Sequence, residues 1–235
     1  MRKIVIWGAG GHAREINWLC EEMGVQVAGF LDERPEMKGQ IVNGVPVLGT
    51  LPDIEALKDE VELICAGVGD PALKKRFAYH TMQSGFRIAA PLIHPRIRLS
   101  PRNTIGEGSM VCEGAILTDN IKIGQHVIIN RSVNVSHDAV IGDYVTIAPG
   151  VNLAGNVTID EGAYIGIGAS VREKCHIGCW SIIGGGAFVR DDVPEFAMAA
   201  GVPAVVKNGL IFPEPLSFET ERNQIRSNLL GNEVI

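Results

Sequence analysis

Residues 105–194 read IGEGSM VCEGAI LTDNIK IGQHVI INRSVN VSHDAV IGDYVT IAPGVN LAGNVT IDEGAY IGIGAS VREKCH IGCWSI IGGGAF VRDDVP, fifteen hexapeptides with no residue inserted or lost. Every sixth residue, from Ile105, Val111 and Leu117 to Ile177, Ile183 and Val189, is Ile, Val or Leu. Four positions later comes a second inward residue, mostly small: Ser109, Ala115, Val127, Ala139, Ala163, Ala169, Ser181 and Ala187, with Ile121 the bulkiest exception. A strict period of six predicts a parallel β-solenoid in which each short strand stacks on the one a coil away. Gly follows the anchor at 106, 124, 142, 166, 178 and 184, where a tight bend needs either φ freedom or a missing Cβ. With three hexads per coil, residues 18 apart stack at ~4.8 Å, so five coils rise roughly 24 Å. Ile93 and Leu99 extend the register upstream.

The first 90 residues follow another rule. An apolar strand, Ile4 to Trp7, ends in Gly8-Ala9-Gly10-Gly11-His12-Ala13, and a helix is predicted from Ala13 to Met23 with Gly24 at its end. Strands are expected at 25–31, 45–48 and 62–67, a helix or turn near 53–59, and a helix over 71–84 capped by Asp70 with Pro71 in its first turn. This alternation predicts a parallel α/β sheet. The chain thus divides into an α/β Rossmann-like domain (1–90), a β-helix of hexapeptide repeats (91–207) and a C-terminal tail (208–235), for which helix, arm and disorder all stay open.

Bulk properties narrow the function. The net charge of −6 and the lack of a basic cluster argue against nucleic acid. The apolar runs are too short to span a membrane, and Met1-Arg2-Lys3 leads into a strand without a signal-peptide pattern. Five scattered cysteines suit a reducing cytoplasm better than a disulfide framework. Cys175-His176-Ile177-Gly178-Cys179 invites a zinc reading, but the register turns Cys175 inward and Cys179 outward, so they do not converge; no metal is expected.

Gly8-x-Gly10-x-x-Ala13 between strand and helix, with Asp32 at the end of the next strand, fits a loose dinucleotide fingerprint, because amides at a helix N-terminus attract phosphate. Ninety residues are too few for a full NAD domain. A nucleotide or nucleotide sugar, NAD(P), or a purely structural turn are the alternatives. His12 in this loop is either a ligand-facing side chain or a plain capping residue.

In the register His137 faces out near a corner, with Asp119 one coil below and Gly155 one coil above. Imidazole, carboxylate and backbone N–H are the parts of general-base chemistry with oxyanion stabilisation. A solvated surface histidine is the plain alternative. His126 and His176 also face out but do not stack with His137, and no close histidine pair could hold zinc as in solenoid carbonic anhydrases.

Taken together, Gly8-Ala9-Gly10-Gly11-His12, Phe30-Leu31-Asp32-Glu33, Asn130 with Ser136-His137-Asp138, Ala154-Gly155-Asn156-Val157, Ile183-Gly184-Gly185-Gly186-Ala187 and Ala200-Gly201-Val202-Pro203-Ala204 resemble the bacterial sugar O-/N-acyltransferases. These combine a Rossmann-like N-terminal domain with a left-handed β-helix, and include nucleotide-amino-sugar N-acetyltransferases and sialic acid O-acetyltransferases. The resemblance covers about residues 1–207. It implies a homotrimer with sites between neighbouring β-helices, acetyl-CoA as co-substrate and a nucleotide-sugar acceptor. It further implies His137 as general base, Asp138 as the acid raising its basicity, Asn130 near the acceptor, and Gly10, Gly11, His12, Asp32, Glu33 and Gly69 around the nucleotide sugar. Thr146, Ile167 and Gly185 match positions that contact coenzyme A, although a relative carries His in place of Thr146. The register independently stacks Pro149, Ile167 and Gly185 in a strip suited to a pantetheine arm.

The expected reaction is direct acetyl transfer to the amine of a nucleotide-linked sugar, with the Gly155 N–H stabilising the oxyanion and no cysteine nucleophile. O-acetylation of sialic acid or a related hydroxyl uses the same residues, and a non-catalytic nucleotide-sugar-binding protein needs neither the acid–base pair nor the groove. An NAD-dependent reductase is the remaining option.

Overall fold

A computed structural model describes residues 3–211, with side chains described to Lys207. Strand β1 (Lys3–Trp7) leads into helix α1 (Gly11–Glu22), then β2 (Val27–Leu31), β3 (Ile41–Val42), β4 (Val45–Gly49) and β5 (Val61–Ile64), before helix α2 (Pro71–Gln83) and β6 (Arg87–Ile88). They form one sheet in the order β3-β4-β2-β1-β5-β6. All its pairings are parallel except the β3–β4 hairpin. The stretch expected as a helix or turn near 53–59 is a 3-10 helix, Leu51–Leu57. Asp70 caps α2 by accepting the Leu73 N–H at 2.8 Å. Gly8, with φ +117°, sits so close to the next loop that a Cβ would stand 2.7 Å from the Gly67 carbonyl oxygen. This glycine lets the β1 turn pass the β5 turn.

From Leu92 the chain winds into a three-sided β-helix. All fifteen anchors lie in two-residue strands that pair in parallel 18 residues away, as with Ile123↔Ile141 and Val135↔Leu153. Ile93 joins the ladder against Val111, whereas Leu99 lies outside any strand and is exposed. Anchors and small inward residues form one continuous buried core, so closely spaced β-branched side chains fill the prism. The antiparallel pair Ala197–Ala200 and Val205–Ile211 closes one face. The tail beyond 211 lies outside the described residues. Among the described residues no helix is long and apolar enough to cross a membrane.

Two points sharpen the expectations. Of the two needs open to the glycines after the anchors, the structure shows the absence of Cβ rather than positive φ: a Cβ at Gly106 would lie 2.6 Å from Gly124 backbone and at Gly142 2.7 Å from the Glu161 nitrogen. Left-handed backbone falls instead on the fourth residue of fourteen hexads, eight of them non-glycine, including Asn120, His126, Asp138 and Tyr144, and six glycine. The corner column, not the residue after the anchor, therefore carries the strain.

The second concerns His126, which points out of the prism as the register requires but is buried, 1% exposed, because α2 and the β6 region cover that corner. Its ring stacks on Tyr144 at 5.3 Å. Met110, Ile128, Leu92 and α1 residues share a second core between the domains. The N-terminal domain thus covers the lower part of one prism face; among the described residues no other element packs over the other two.

Candidate active site

The prism edges sort the predicted residues into three groups. On the edge between the Leu117 and Ile123 faces, Asp119, His137, Gly155 and Glu173 stack, as the bonds from Asp138 N–H to the Asp119 carbonyl and from Asn156 N–H to the His137 carbonyl record. His137 Nδ1 lies 2.7 Å from Asp138 Oδ2. Asp119 sits below but does not serve the ring: its carboxylate takes Arg102 Nη2 at 2.7 Å and the Ser100 hydroxyl. Arg102 chiefly, then Ser100, pulls the Asp119 carboxyl down to about 2. The acid beside His137 is thus its chain neighbour, not the residue a coil below. An ionised carboxylate can only accept, so Asp138 keeps the proton on Nδ1 and leaves Nε2 as the open acceptor. The ring packs against Gly155 one coil above, and the Gly155 N–H has no acceptor among the described residues.

On the next edge, between the Val111 and Leu117 faces, Arg131, Pro149, Ile167 and Gly185 stack; Gly150, Gly168 and Gly186 N–H groups donate down to the Arg131, Pro149 and Ile167 carbonyls. Ile167 is 63% exposed. Gly185 opens the space above it, since a Cβ there would come 3.2 Å from the Ile167 side chain. Asn130 is next to the foot of this strip and accepts the Arg131 N–H at 2.8 Å.

The glycine loop sits at the same foot. Arg131 Nη1 pairs with Glu15 of α1 at 3.0 Å, and its guanidinium lies 4.8 Å over Trp18. Glu15 also meets His12 Nδ1 at 3.2 Å, while His12 Nε2 is buried without a partner. Burial lowers the His12 pKa despite Glu15. Beyond Gly10 and Gly69 there is open space, so backbone amides at the α1 N-terminus face a clear approach. Glu33 is exposed beside them.

Asp32 and Thr146 are placed otherwise than expected. Asp32 is buried and saturated: it accepts Ala9 N–H at 3.2 Å and is gripped by Arg34 Nε at 2.8 Å and Nη2 at 2.9 Å. The Arg34 side chain is the main reason its carboxyl is held below the usual range. It pins the glycine loop rather than presenting a free ribose ligand. Thr146 is 4% exposed within the domain junction, where its hydroxyl donates to the Gly69 carbonyl at 2.7 Å and accepts from Lys74 Nζ at 2.8 Å. It faces no surface open to coenzyme A in this chain.

Sequence reasoning missed Asn120, Arg131, Glu15 and the fully buried Lys74. The first two stand 18 residues before Asp138 and Pro149, so the same register locates them; Glu15 and Lys74 carry no such signal. It also missed Glu22, His94 and Glu113, whose ligand atoms converge. There His94 Nδ1 accepts the Arg96 N–H at 3.2 Å and Nε2 faces Glu22 at 3.2 Å. A neutral ring accepting at Nδ1 has its proton on Nε2, so the trio reads as a link between α1 and the first coil. Cys175 is buried and Cys179 half-buried, both as free thiols.

Compared with known proteins, residues 3–80 match the PglD N-terminal domain and residues 120–155 match the bacterial transferase hexapeptide (six repeats). A parallel coil of hexapeptides bearing this site defines a hexapeptide-repeat acyltransferase with a left-handed β-helix. Perosamine N-acetyltransferase from Caulobacter crescentus, in complex with CoA and GDP-perosamine, is 31% identical with a TM-score of 0.81, over 88% of this chain and 98% of its own. The acetyltransferase domain of PglB from Neisseria gonorrhoeae, in complex with acetyl coenzyme A, is 32% identical with a TM-score of 0.80, over 88% and 99%. WeeI from Acinetobacter baumannii is 29% identical with a TM-score of 0.73, over 88% and 100%. No curated protein matches. The chain belongs to the bacterial sugar acyltransferase family with a PglD-type N-terminal domain.

Proposed function

We propose that this protein transfers the acetyl group of acetyl-CoA to the amine of a nucleotide-linked amino sugar. The observation that carries the assignment is the His137–Asp138 pair on one prism edge and the open Pro149–Ile167–Gly185 strip on the next. Two of these solved relatives hold CoA or acetyl coenzyme A, and one of the two also holds GDP-perosamine. The thioester supplies an activated acetyl group. The exposed apolar strip suits a pantetheine arm, and the open glycine loop at its foot suits a nucleotide diphosphate. Gly10, Gly11, His12, Glu33 and Gly69 surround that loop. Asp32 holds its backbone, and Asn130 stands where the strip and loop meet.

His137 Nε2 takes the acceptor proton as the amine attacks the thioester carbonyl, and returns it to the CoA thiolate when the C–S bond breaks. Asp138 meanwhile holds Nδ1–H and stabilises the imidazolium that forms, a contribution typically worth ~10²–10⁴-fold. Gly155, one coil above, supplies the surface the ring packs on and an N–H without an acceptor among the described residues. Within one chain His137 and the strip stand on different prism edges with the Leu117 face between them, whereas a base must come within about 3 Å of its proton. We therefore assign each site to two copies, one giving His137 and the other the strip and glycine loop, in a homotrimer. Exposed Ile116 and Phe188 on the intervening face suit burial between copies. A donor drawn from acetyl-CoA, together with scattered cysteines of the kind a reducing compartment keeps, supports a cytoplasmic reaction.

The test is thiol release from acetyl-CoA with UDP-, GDP- and dTDP-linked amino sugars and with sialic acid. Release with an amino sugar, lost in His137→Ala, is the expected result. Release only with a hydroxyl acceptor, or full turnover by His137→Ala, would overturn the assignment.

A further inference from the structure

We propose that Asn120 is a positioning residue for this transfer: its side-chain amide holds one oxygen of Asp138 so that the other stays on the His137 ring. The inference deepens the proposed function and rests on it. Asn120 and Asp138 are 18 residues apart and stack on the same corner, both in left-handed backbone with φ of +56° and +60°. The Asn120 Nδ2–H group donates to Asp138 Oδ1, and Asp138 Oδ2 receives His137 Nδ1 at 2.7 Å. The two carboxylate oxygens are thus divided between one amide and one imidazole.

That division matters because the pair is open to water. The His137 side chain is 61% exposed and that of Asp138 41%. A carboxylate held at one oxygen alone would turn into solvent, and the ring would exchange tautomers. The Asn120 amide is also the largest influence holding the Asp138 carboxyl below its ordinary range, followed by His137, so Asp138 remains an acceptor only. Asp119, the acid one coil below the ring, is drawn aside by Arg102 and Ser100. Asp138 therefore acts on the imidazole without a competitor, and Asn120 sets its orientation.

A corner asparagine has a structural explanation as well, since Asn tolerates left-handed backbone. The repeat itself supplies the control. The same corner position is glycine in six other hexads, so Asn120→Gly keeps the backbone and removes only the amide. Asn120→Asp keeps the shape, removes the donor and adds a like charge.

The experiment measures the His137 ring tautomer by ¹⁵N NMR in the ligand-free full chain, with His137→Gln for assignment, alongside thiol-release kinetics. Wild type is expected to show the Nδ1–H tautomer. Asn120→Gly is expected to shift it toward Nε2–H and to lower kcat about tenfold, a fraction of a general base's worth, with the KM for acetyl-CoA within twofold. Asn120→Asp should lower kcat and move the acid limb of the pH–rate profile upward, because a second carboxylate stabilises the imidazolium. If Asn120→Gly leaves tautomer and kcat unchanged, the proposal falls. It also falls if kcat drops while the tautomer stays fixed. Should Asn120→Gly not fold, Asn120→Asp decides by the same readouts. The tautomer measurement uses no substrate, so failure of the acetyl-transfer assignment is seen separately, as absent thiol release by wild type.

Discussion

The His137 imidazole lies directly over the Cα of Gly155, one coil above: a Cβ on Gly155 would stand 2.6 Å from Cε1 and 2.7 Å from Nε2. Real side chains do not approach that closely, so Gly155→Ala must push the ring off its seat while leaving the Asp138 contact strained. Misplacing a catalytic group by about 1 Å can cost ~10²-fold. We expect kcat to fall roughly 10- to 100-fold with acetyl-CoA affinity by calorimetry unchanged. Near-wild-type kcat in the alanine variant would remove Gly155 from the site.

The separation of His137 from the Ile167 strip predicts complementation. His137→Ala lacks the base and Gly185→Trp blocks the strip, so each alone should be nearly inactive. Co-expressed, a copy with an intact base can adjoin one with an intact strip, and random assembly in a cyclic oligomer makes about a quarter of the sites competent. Thiol release should recover toward that fraction. Mixed assemblies that stay as inactive as the two parents would mean that each chain holds a complete site.

Ile167 is a large apolar residue left in water, and burying an isoleucine against a ligand is worth ~1.5–3 kcal/mol. Ile167→Asp removes that contact without touching the core. The Kd for acetyl-CoA should rise roughly 10- to 100-fold, with the melting temperature held. An unchanged Kd would place the pantetheine arm elsewhere.

The period of six made the β-helix legible because each side-chain position repeats in one environment. The spacing alone stacks Gly155 on His137 and Gly185 on Ile167. It failed for His126 and Thr146 because register tells which side chains leave the prism, not what then covers them. The cover is α2, whose Lys74 reaches Val145 and Thr146 from more than 70 residues away. Asp32 follows a related rule: its position at the strand end is legible, but the Arg34 side chain that occupies it follows from local geometry.

Thr146 tests that correction. Thr146→Val removes the hydroxyl that donates to the Gly69 carbonyl and receives Lys74. Leaving buried polar groups unpaired costs ~1–3 kcal/mol. Urea unfolding should show a loss of that order, with acetyl-CoA affinity unaltered. A weakened Kd at unchanged stability would restore Thr146 to the coenzyme A contacts.

His126 predicts how the fold responds to acid. Its ring is packed on Tyr144, seated against Gly108 and close to Lys74. Burial first, and the Lys74 charge second, lower its pKa from 6.5 to about 4. The folded protein therefore keeps the ring neutral where the unfolded chain binds a proton. Stability from this residue is complete above pH 6.5 and declines as pH falls from 6.5 to about 4. The loss approaches about 3 kcal/mol, at 1.36 kcal/mol per pKa unit. Burial lowers His12 in the same direction, adding to the slope. His126→Asn tolerates the left-handed corner and cannot titrate, so its melting temperature should fall less steeply across that window than that of the wild type, even if it starts lower because the Tyr144 stack is gone. An identical slope in the two proteins would mean that the buried imidazole is not the group that acid attacks.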